Sequence, residues 1–462
     1  MVRQLLNKHF DRKKTAILGF GLEGRSTYSL LRNYFPELEL IICDQNTEII
    51  KINNDLSSDK HLKLSLGPDY LKGLADAEVI MKAPGIPFRE LEGVDRSKIK
   101  TQTSIFLELF RDRSIGITGT KGKSTTAALL HHILQKGNKT SLLAGNIGTP
   151  CFDLIYQVDA DSIIVFEMSS HQLEHLAVSP HIAIFLNVFR EHLDHYDSYD
   201  AYQQAKMNIA RWQQPGDLLF YYPENKVIEK LLKPYKLPST PVVLSTNPIS
   251  DNVVYMDGEN VMVKMASVQT VIPKVVTHRL LSGDHNLINI MAACGVATSL
   301  GVSAAEIAKA VITFTGLPHR LEHIGTFQGV RYINDSIATV PEATIEAVKA
   351  FPDAATLILG GKDRGLDYVD LIHYLSNSDV KNLFFIGESG KRMHHLTEND
   401  SAFNEKLCIL ASSFEEAVQL AVGNTPPGKT VLLSPAATSY DQFRDFKERG
   451  ARFKALVTQY AG

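Results

Sequence analysis

The segment Gly119-Thr120-Lys121-Gly122-Lys123-Ser124-Thr125 concentrates residue types suited to phosphate chemistry. A glycine-rich turn between a strand and a helix lines up backbone N–H groups with the positive end of a helix dipole. Lys123 adds a point charge, and the hydroxyl of Ser124 or Thr125 suits Mg²⁺. The strict pattern GxxxxGK[ST] asks for glycine at 117, where the chain has Ile117, so the turn is a shortened form that keeps Gly-Lys-Ser. Nucleoside-triphosphate binding is the expectation, and a plain glycine turn is the competing reading. A second turn, Gly19-Phe20-Gly21-Leu22-Glu23-Gly24, matches GxGxxG, is followed by Arg25, and has Asp44 about 20 positions beyond its last glycine. A pyrophosphate suits such a helix start. A Rossmann-like βαβ unit is the expectation; glycines serving only tight strand–helix packing are the competing reading, and the ligand stays open at this point.

Three further positions are chemically suggestive. Glu167 ends the apolar run Ser162–Phe166, where a carboxylate downstream of a phosphate loop is placed for Mg²⁺ or for a helix cap. His192, Asp194 and His195 lie close together, but the spacing is not that of a closed zinc site, so His192 is read as an ancillary Mg²⁺ ligand or part of a polar loop. Lys206 falls mid-helix in Ser198–Trp212, which by pattern alone is a solvated face.

The elements that must carry these groups alternate along the chain. Strands are expected at Thr15–Leu18, Leu38–Cys43, Ala77–Met81, Ser114–Thr118, Ser162–Phe166 and Ile182–Val188. Helices are expected at Ser26–Tyr34, Thr126–Leu134, Leu287–Leu300 and Ala304–Phe314. Residues 213–280 read as β-rich. Beyond Gly316, strands at Arg331–Ile333, Thr356–Leu359, Leu383–Ile386 and Val431–Leu433 each end in small or polar residues, and a last helix is expected from Asp441 to Tyr460. That order implies α/β architecture with largely parallel sheets and a binding rim at the strand ends. Boundaries are expected at 1–108, 109–315 and 316–462.

Composition sets outer limits. The chain has 462 residues, 44% hydrophobic and 21% charged, with a formal net charge of −3, which makes no electrostatic case for a nucleic-acid or membrane partner. Cys43, Cys151, Cys294 and Cys408 are far apart and are expected to be buried thiols in a reducing compartment. No apolar run approaches the ~18 residues of a membrane span, and the N-terminal residues lack a signal-peptide core. A cytoplasmic protein is expected. A kinase would leave the first turn unexplained, and a nicotinamide-dependent oxidoreductase would leave Gly-Lys-Ser unexplained. A three-part enzyme that uses ATP to join two substrates accounts for both.

The ordered blocks GITGTKGKST, GNIG, EMSSHQLE, NVFREHLDHY, QQAK, GDHNLINIMAA, GLPHRLE, NDSIAT, LGGKDRGLDY and LLSPAATSYDQFRDFKERG together resemble the Mur ligases over nearly the whole chain. The resemblance implies an N-terminal Rossmann-like domain for a UDP-linked substrate, a central P-loop ATPase-like domain and a C-terminal Rossmann-like domain for the amino acid. It implies ATP and Mg²⁺ as cofactors, with UDP-N-acetylmuramoyl-L-alanine and D-glutamate as small-molecule substrates and a monomeric state. By position it assigns Gly21, Leu22, Glu23, Gly24, Arg25 and Asp44 to the UDP end, with Asn146 on the substrate side. ATP falls to Gly119 through Thr125, Asn286 and Arg320. Ser124, Glu167, His192 and a carbamylated Lys206 are assigned to Mg²⁺, and Lys123, Glu167, His192 and Lys206 to catalysis. Thr339, Arg364, Ser439 and Phe446 are assigned to the glutamate pocket. Lys121, Ile337, Val340 and Arg364 depart from residues frequent in the family, and addition of L-glutamate is the alternative they raise.

Overall fold

Short apolar, β-branched runs punctuated by glycine and polar turns become twenty strands among the described residues, and these assemble into three sheets. The computed structural model describes residues 2–49, 54–145, 149–191, 195–281, 285–398 and 400–462. Two compact units result, Met1–Phe314 with the first two sheets and Thr315–Gly462 with the third.

In the first unit, β1 (Thr15–Leu18), β2 (Leu40–Asp44), β3 (Leu62–Leu66), β4 (Val79–Lys82) and β5 (Ile99–Lys100) form a parallel sheet in the order β3-β2-β1-β4-β5. The order reverses between β1 and β4, where a crevice opens at the strand ends. There Leu18 lies beside Lys82. The second sheet holds β6 (Ser114–Thr118), β7 (Ser141–Gly145), β8 (Ile163–Glu167), β9 (Ile182–Phe185), β10 (Leu218–Tyr221), β11 (Thr240–Leu244), β12 (Val253–Asp257), β13 (Asn260–Met265) and β14 (Val268–Ile272). Its order is β14-β13-β12-β11-β10-β9-β6-β8-β7, parallel from β7 to β12 and antiparallel across β12, β13 and β14. The phosphate-loop strand β6 is therefore central, flanked by β8 and β9.

The first two sheets share one apolar core. Phe106, on the Gln102–Phe110 helix, is fully buried and meets Phe110 edge-on at 5.1 Å and Phe166 of β8 at 5.9 Å. Polar ties run alongside: Ser26 Oγ donates to Asp153 Oδ1 at 2.7 Å, and Gln102 Nε2 donates to the Glu23 carbonyl at 2.8 Å. This shared core is why 1–314 is one unit.

The second unit contains β15 (Glu322–Phe327), β16 (Val330–Asn334), β17 (Ala354–Gly360), β18 (Asn382–Ile386), β19 (Leu407–Leu410) and β20 (Thr430–Leu433), in the order β15-β16-β20-β17-β18-β19. Only the β15–β16 pair is antiparallel.

Element boundaries differ from the sequence reading where capping decides them. The last helix begins at Phe446 rather than 441, because the Asp445 carboxylate accepts from Glu448 N at 2.9 Å while Gln442 N and Phe443 N both turn back to the Ser439 carbonyl. The helix after the phosphate loop begins at Lys123, so its first turn is the motif itself. Three cysteines are buried as expected, but Cys408 on the edge strand β19 is half-exposed.

Phe106→Ala is expected to lower stability by about 3–5 kcal/mol. Because the two sheets share the core that it fills, fluorescence of Trp212, which follows the helix packed on the second sheet, should shift to a lower urea midpoint; an unchanged midpoint would mean separate cores.

Candidate active site

The loop after β6 is held by its neighbours before any ligand is considered. Thr118 Oγ1 donates to the Met168 carbonyl at 2.9 Å. Thr120 Oγ1 shares a hydrogen bond with Tyr202 Oη at 2.8 Å and accepts from Phe189 N at 2.9 Å. Lys121 N donates to Asn187 Oδ1 at 2.8 Å, and Asn187 Nδ2 returns a bond to the Lys121 carbonyl at 3.0 Å. Lys121 Nζ pairs with Glu191 at 2.7 Å, which gives this departure from the family pattern a local partner.

Gly122 has φ +87°, and a Cβ there would stand 2.4 Å from Asn289 Oδ1. Only glycine meets both demands. As the residue preceding the Lys123–Lys136 helix, Gly122 offers no side-chain cap, which suits the first-turn N–H groups to phosphate oxygens. Ser124 and Thr125 sit in that turn and are largely buried. Asn289 also accepts from Thr126 Oγ1 at 3.1 Å, and its Nδ2 donates to Asn286 Oδ1 at 2.9 Å. Asn286 is thereby linked to the loop through a residue that sequence reasoning passed over. The available signal was a second asparagine three positions on, in an otherwise apolar helix.

Two lysines converge on one carbonyl. Lys123 Nζ donates to the Gly119 carbonyl at 2.9 Å and to that of Thr120 at 3.0 Å, and Lys206 Nζ donates to the Gly119 carbonyl at 2.8 Å. Lys206 is 1% exposed, with its ammonium 4.9 Å from the centre of the Tyr202 ring. The solvated-face reading of Lys206 is therefore corrected: Tyr202, Ala205, Lys206 and Ile209 form the inward side of the Tyr199–Arg211 helix. Burial holds its pKa well below the usual lysine value, the Lys123 ammonium adds to the depression, and Glu191 and Glu167 oppose it. Glu167 ends β8 with no exposed surface, between Ile117 of β6 and Gly145 of β7.

The first glycine turn is built at the β1 end of the crevice. Gly19 has φ +86°, and a Cβ on Gly24 would come within 2.1 Å of the Gly19 carbonyl. Asp44 receives Phe20 N on Oδ2 at 2.6 Å and Asn46 N on Oδ1 at 2.8 Å, so this carboxylate braces the turn. Gly21, Leu22 and Arg25 are exposed. Glu23 instead points inward and accepts from Gln172 Nε2 at 3.1 Å, with its pKa raised by burial.

The second unit gathers its candidate pocket at the ends of β16, β17 and β20. Ser439 is buried, Thr339 and Phe446 are half-buried, and Arg320 and Arg364 are exposed. Arg449, a residue the sequence reading did not select, organises the rim. It is 1% exposed; its Nε donates to Ser336 Oγ at 3.0 Å and its Nη2 to the carbonyls of Ser336 and Ala437 at 2.8 and 2.9 Å. Ser336 Oγ donates in turn to the Phe446 carbonyl at 2.8 Å. Burial also raises the pKa of Asp335, beside it, to about 7. His192 and Asn146 lie outside the described residues.

Among the described residues no group of three His, Cys, Asp or Glu side chains converges as a metal cage. A buried carboxylate and a loop hydroxyl are hard oxygen donors that fit a cation completed by substrate phosphates, as Mg²⁺ usually is.

Comparison with known proteins identifies the family. The Mur ligase middle domain matches residues 117–297, and the Mur ligase glutamate ligase domain matches residues 319–437. The chain belongs to the Mur ligase family, enzymes of the ATP-dependent acid–amino-acid ligase class. Within the family it is similar to the UDP-N-acetylmuramoylalanine–D-glutamate ligase of Desulfitobacterium hafniense, 32% identical over 98% of this chain and 99% of that one. The enzyme of that name from Symbiobacterium thermophilum is 31% identical over 96% and 98%. Two solved structures share the fold. MurF from Acinetobacter baumannii aligns with a TM-score of 0.57 at 14% identity over 99% and 98% of the chains. MurC from Thermotoga maritima aligns at 0.54 and 16% over 97% and 99%.

Gly122→Ala is expected to weaken ATP binding about tenfold or more, since a left-handed non-glycine residue costs on the order of 1–2 kcal/mol and Asn289 must also give way. Calorimetric titration with ATP checks this, with circular dichroism confirming the fold.

Proposed function

We propose that the protein joins D-glutamate to UDP-N-acetylmuramoyl-L-alanine at the expense of ATP, releasing ADP and phosphate, in the cytoplasm and as a monomer. In this reading residues 1–108 hold the UDP-linked substrate, 109–315 hold ATP, and 316–462 hold the amino acid. The observation that carries it is the meeting of Lys123 and Lys206 on the Gly119 carbonyl, with Glu167 acting on Lys206 electrostatically. The full-length likeness to D-glutamate ligases supports the choice of amino acid.

The chemistry follows from charge. A carboxylate is a poor electrophile, so the γ-phosphoryl group of ATP passes to the substrate carboxylate, giving an acyl phosphate and ADP. The glutamate amine then attacks the acyl carbon and phosphate leaves as the amide forms. Lys123 stabilises charge on the transferring oxygens, and the loop N–H groups orient the phosphate chain. Mg²⁺, held by Ser124, Glu167 and His192 with a carbamate on Lys206, would neutralise further charge on the phosphoryl oxygens. Lys206 is suited to carbamylation because its burial favours the neutral amine: the nitrogen adds to CO₂ and loses one proton, so a neutral amine becomes a carbamate anion, two protons in all being released from the ammonium. Thr339, Arg364, Ser439 and Phe446 line the glutamate pocket, where hydroxyls and a guanidinium meet a dianion. Asn146, with the first glycine turn and Asp44, receives the UDP-linked substrate, while Asn286 and Arg320 contact ATP.

With ATP, Mg²⁺ and UDP-N-acetylmuramoyl-L-alanine, phosphate release is expected only when D-glutamate is added. Equal release without an amino acid would sink the proposal, and release with L-glutamate alone would replace the enantiomer. Lys206→Ala is expected to lower turnover by about 100-fold, with partial recovery on adding bicarbonate or a short carboxylate; full activity would remove Lys206 from the mechanism.

A further inference from the structure

A second buried lysine lies away from the phosphate loop, inside the first unit. Lys82, the last residue of β4, is 2% exposed and stands at the crevice where the order of the first sheet reverses. Its ammonium donates to the Ala83 carbonyl at 3.2 Å and lies 4.5 Å from the centre of the Phe88 ring. Two carboxylates act on it electrostatically, Glu174 first and then Glu23, and against them burial lowers its pKa to about 8.

Those carboxylates belong to different parts of the unit. Glu23 is in the first glycine turn. It accepts from Gln172 Nε2 on one oxygen, while its other oxygen is buried with no hydrogen-bond partner. Gln172 is half of the capping box that starts the Ser170–Leu173 helix, with Ser169, two residues beyond Glu167. Glu174 follows that helix and pairs with His195 Nε2 at 3.1 Å; His195 packs on His171 at 4.0 Å and precedes the Lys206 helix. Phe88, over the Lys82 ammonium, packs on His175 at 4.2 Å. Lys82 and Glu23 line one cavity of about 10 Å³, which is too small to admit any part of a substrate.

We infer that Lys82 is a positioning residue for the ligation. Its buried ammonium, beside Glu23 at one cavity and over the Phe88 ring that packs on His175 next to Glu174, keeps the UDP-binding turn of the first sheet in register with the segments of the second sheet that carry Glu167 and Lys206. Without its ammonium the Glu23 and Glu174 carboxylates lose a nearby buried cation, Glu23 is left with Gln172 alone, and the Glu23 turn and the Gln172 capping box move apart. A UDP-linked substrate then still binds at its nucleotide end, but its reacting carboxylate is displaced from the phosphate loop. Displacements near 1 Å cost about 100-fold in rate.

This inference rests on the proposed function, and the test separates the two. Wild type, Lys82→Met and the double variant Lys82→Met with Glu174→Gln are assayed for glutamate-dependent phosphate release, and UDP binding is titrated by calorimetry. Lys82→Met is expected to lose about tenfold or more in kcat while its UDP affinity stays within about twofold. The double variant, which also removes one of the two carboxylates near the lost cation, should recover most of the kcat. Absence of turnover in wild type would overturn the proposed function. Turnover in wild type with unchanged kcat in Lys82→Met would overturn the role of Lys82, as would a kcat loss that the double variant leaves uncorrected. Should Lys82→Met fail to fold, the double variant alone decides, because its kcat near wild type supports the charge-balance role and a large loss opposes it.

Discussion

The Gly119 carbonyl accepts from two ammonium groups, Lys123 at 2.9 Å and Lys206 at 2.8 Å, and much else in the first unit follows from that meeting. Like charges at such range disfavour each other, and the more deeply buried of the two yields. Lys206 has 1% of its surface exposed, and burial first, then the nearby Lys123 ammonium, lower its pKa. The clips from Asn187, Phe189 and Tyr202 hold the loop, and Asn289 fills the space that the missing side chain of Gly122 leaves. The site thus brings two buried or half-buried lysines together on a loop held by hydrogen bonds and the Lys121–Glu191 ion pair.

Polar residues at the second rank of the structure do comparable work. Arg449 spends its donors on the carbonyls and hydroxyl around Ser336 and so shapes the rim on which Ser439 and Phe446 sit. Asp44 spends both oxygens on the backbone of the first turn and its neighbour. Lys82 joins the two sheets through charge rather than through contact with a ligand. Each is buried or partly buried, and each would be costly to leave unsatisfied.

Much of the fold was legible because strand and turn chemistry repeat locally. β1 and β6 match their expected spans, and the strand-end residues Glu167 and Asp44 fall at the rims the alternation implied. The short exposed strand β3 and the edge strand β19 were not legible, since their burial is partial and their apolar pattern correspondingly weak. The start of the last helix was missed because the Asp445 cap, rather than the hydrophobic period, decides it.

The amino-acid sequence by itself determined the two glycine turns, their strand–turn–helix settings and the ordered blocks that mark a Mur ligase, because these depend on residues adjacent in the chain. Only the tertiary structure decided what the isolated charged residues do. Lys206 reads as a solvated helical lysine until the helix packs against the phosphate loop, 87 positions from Gly119. Glu23 reads as part of a ligand turn until Gln172, 149 positions away, takes its carboxylate inward. Burial and like-charge proximity are properties of the packed chain, and no local pattern encodes them.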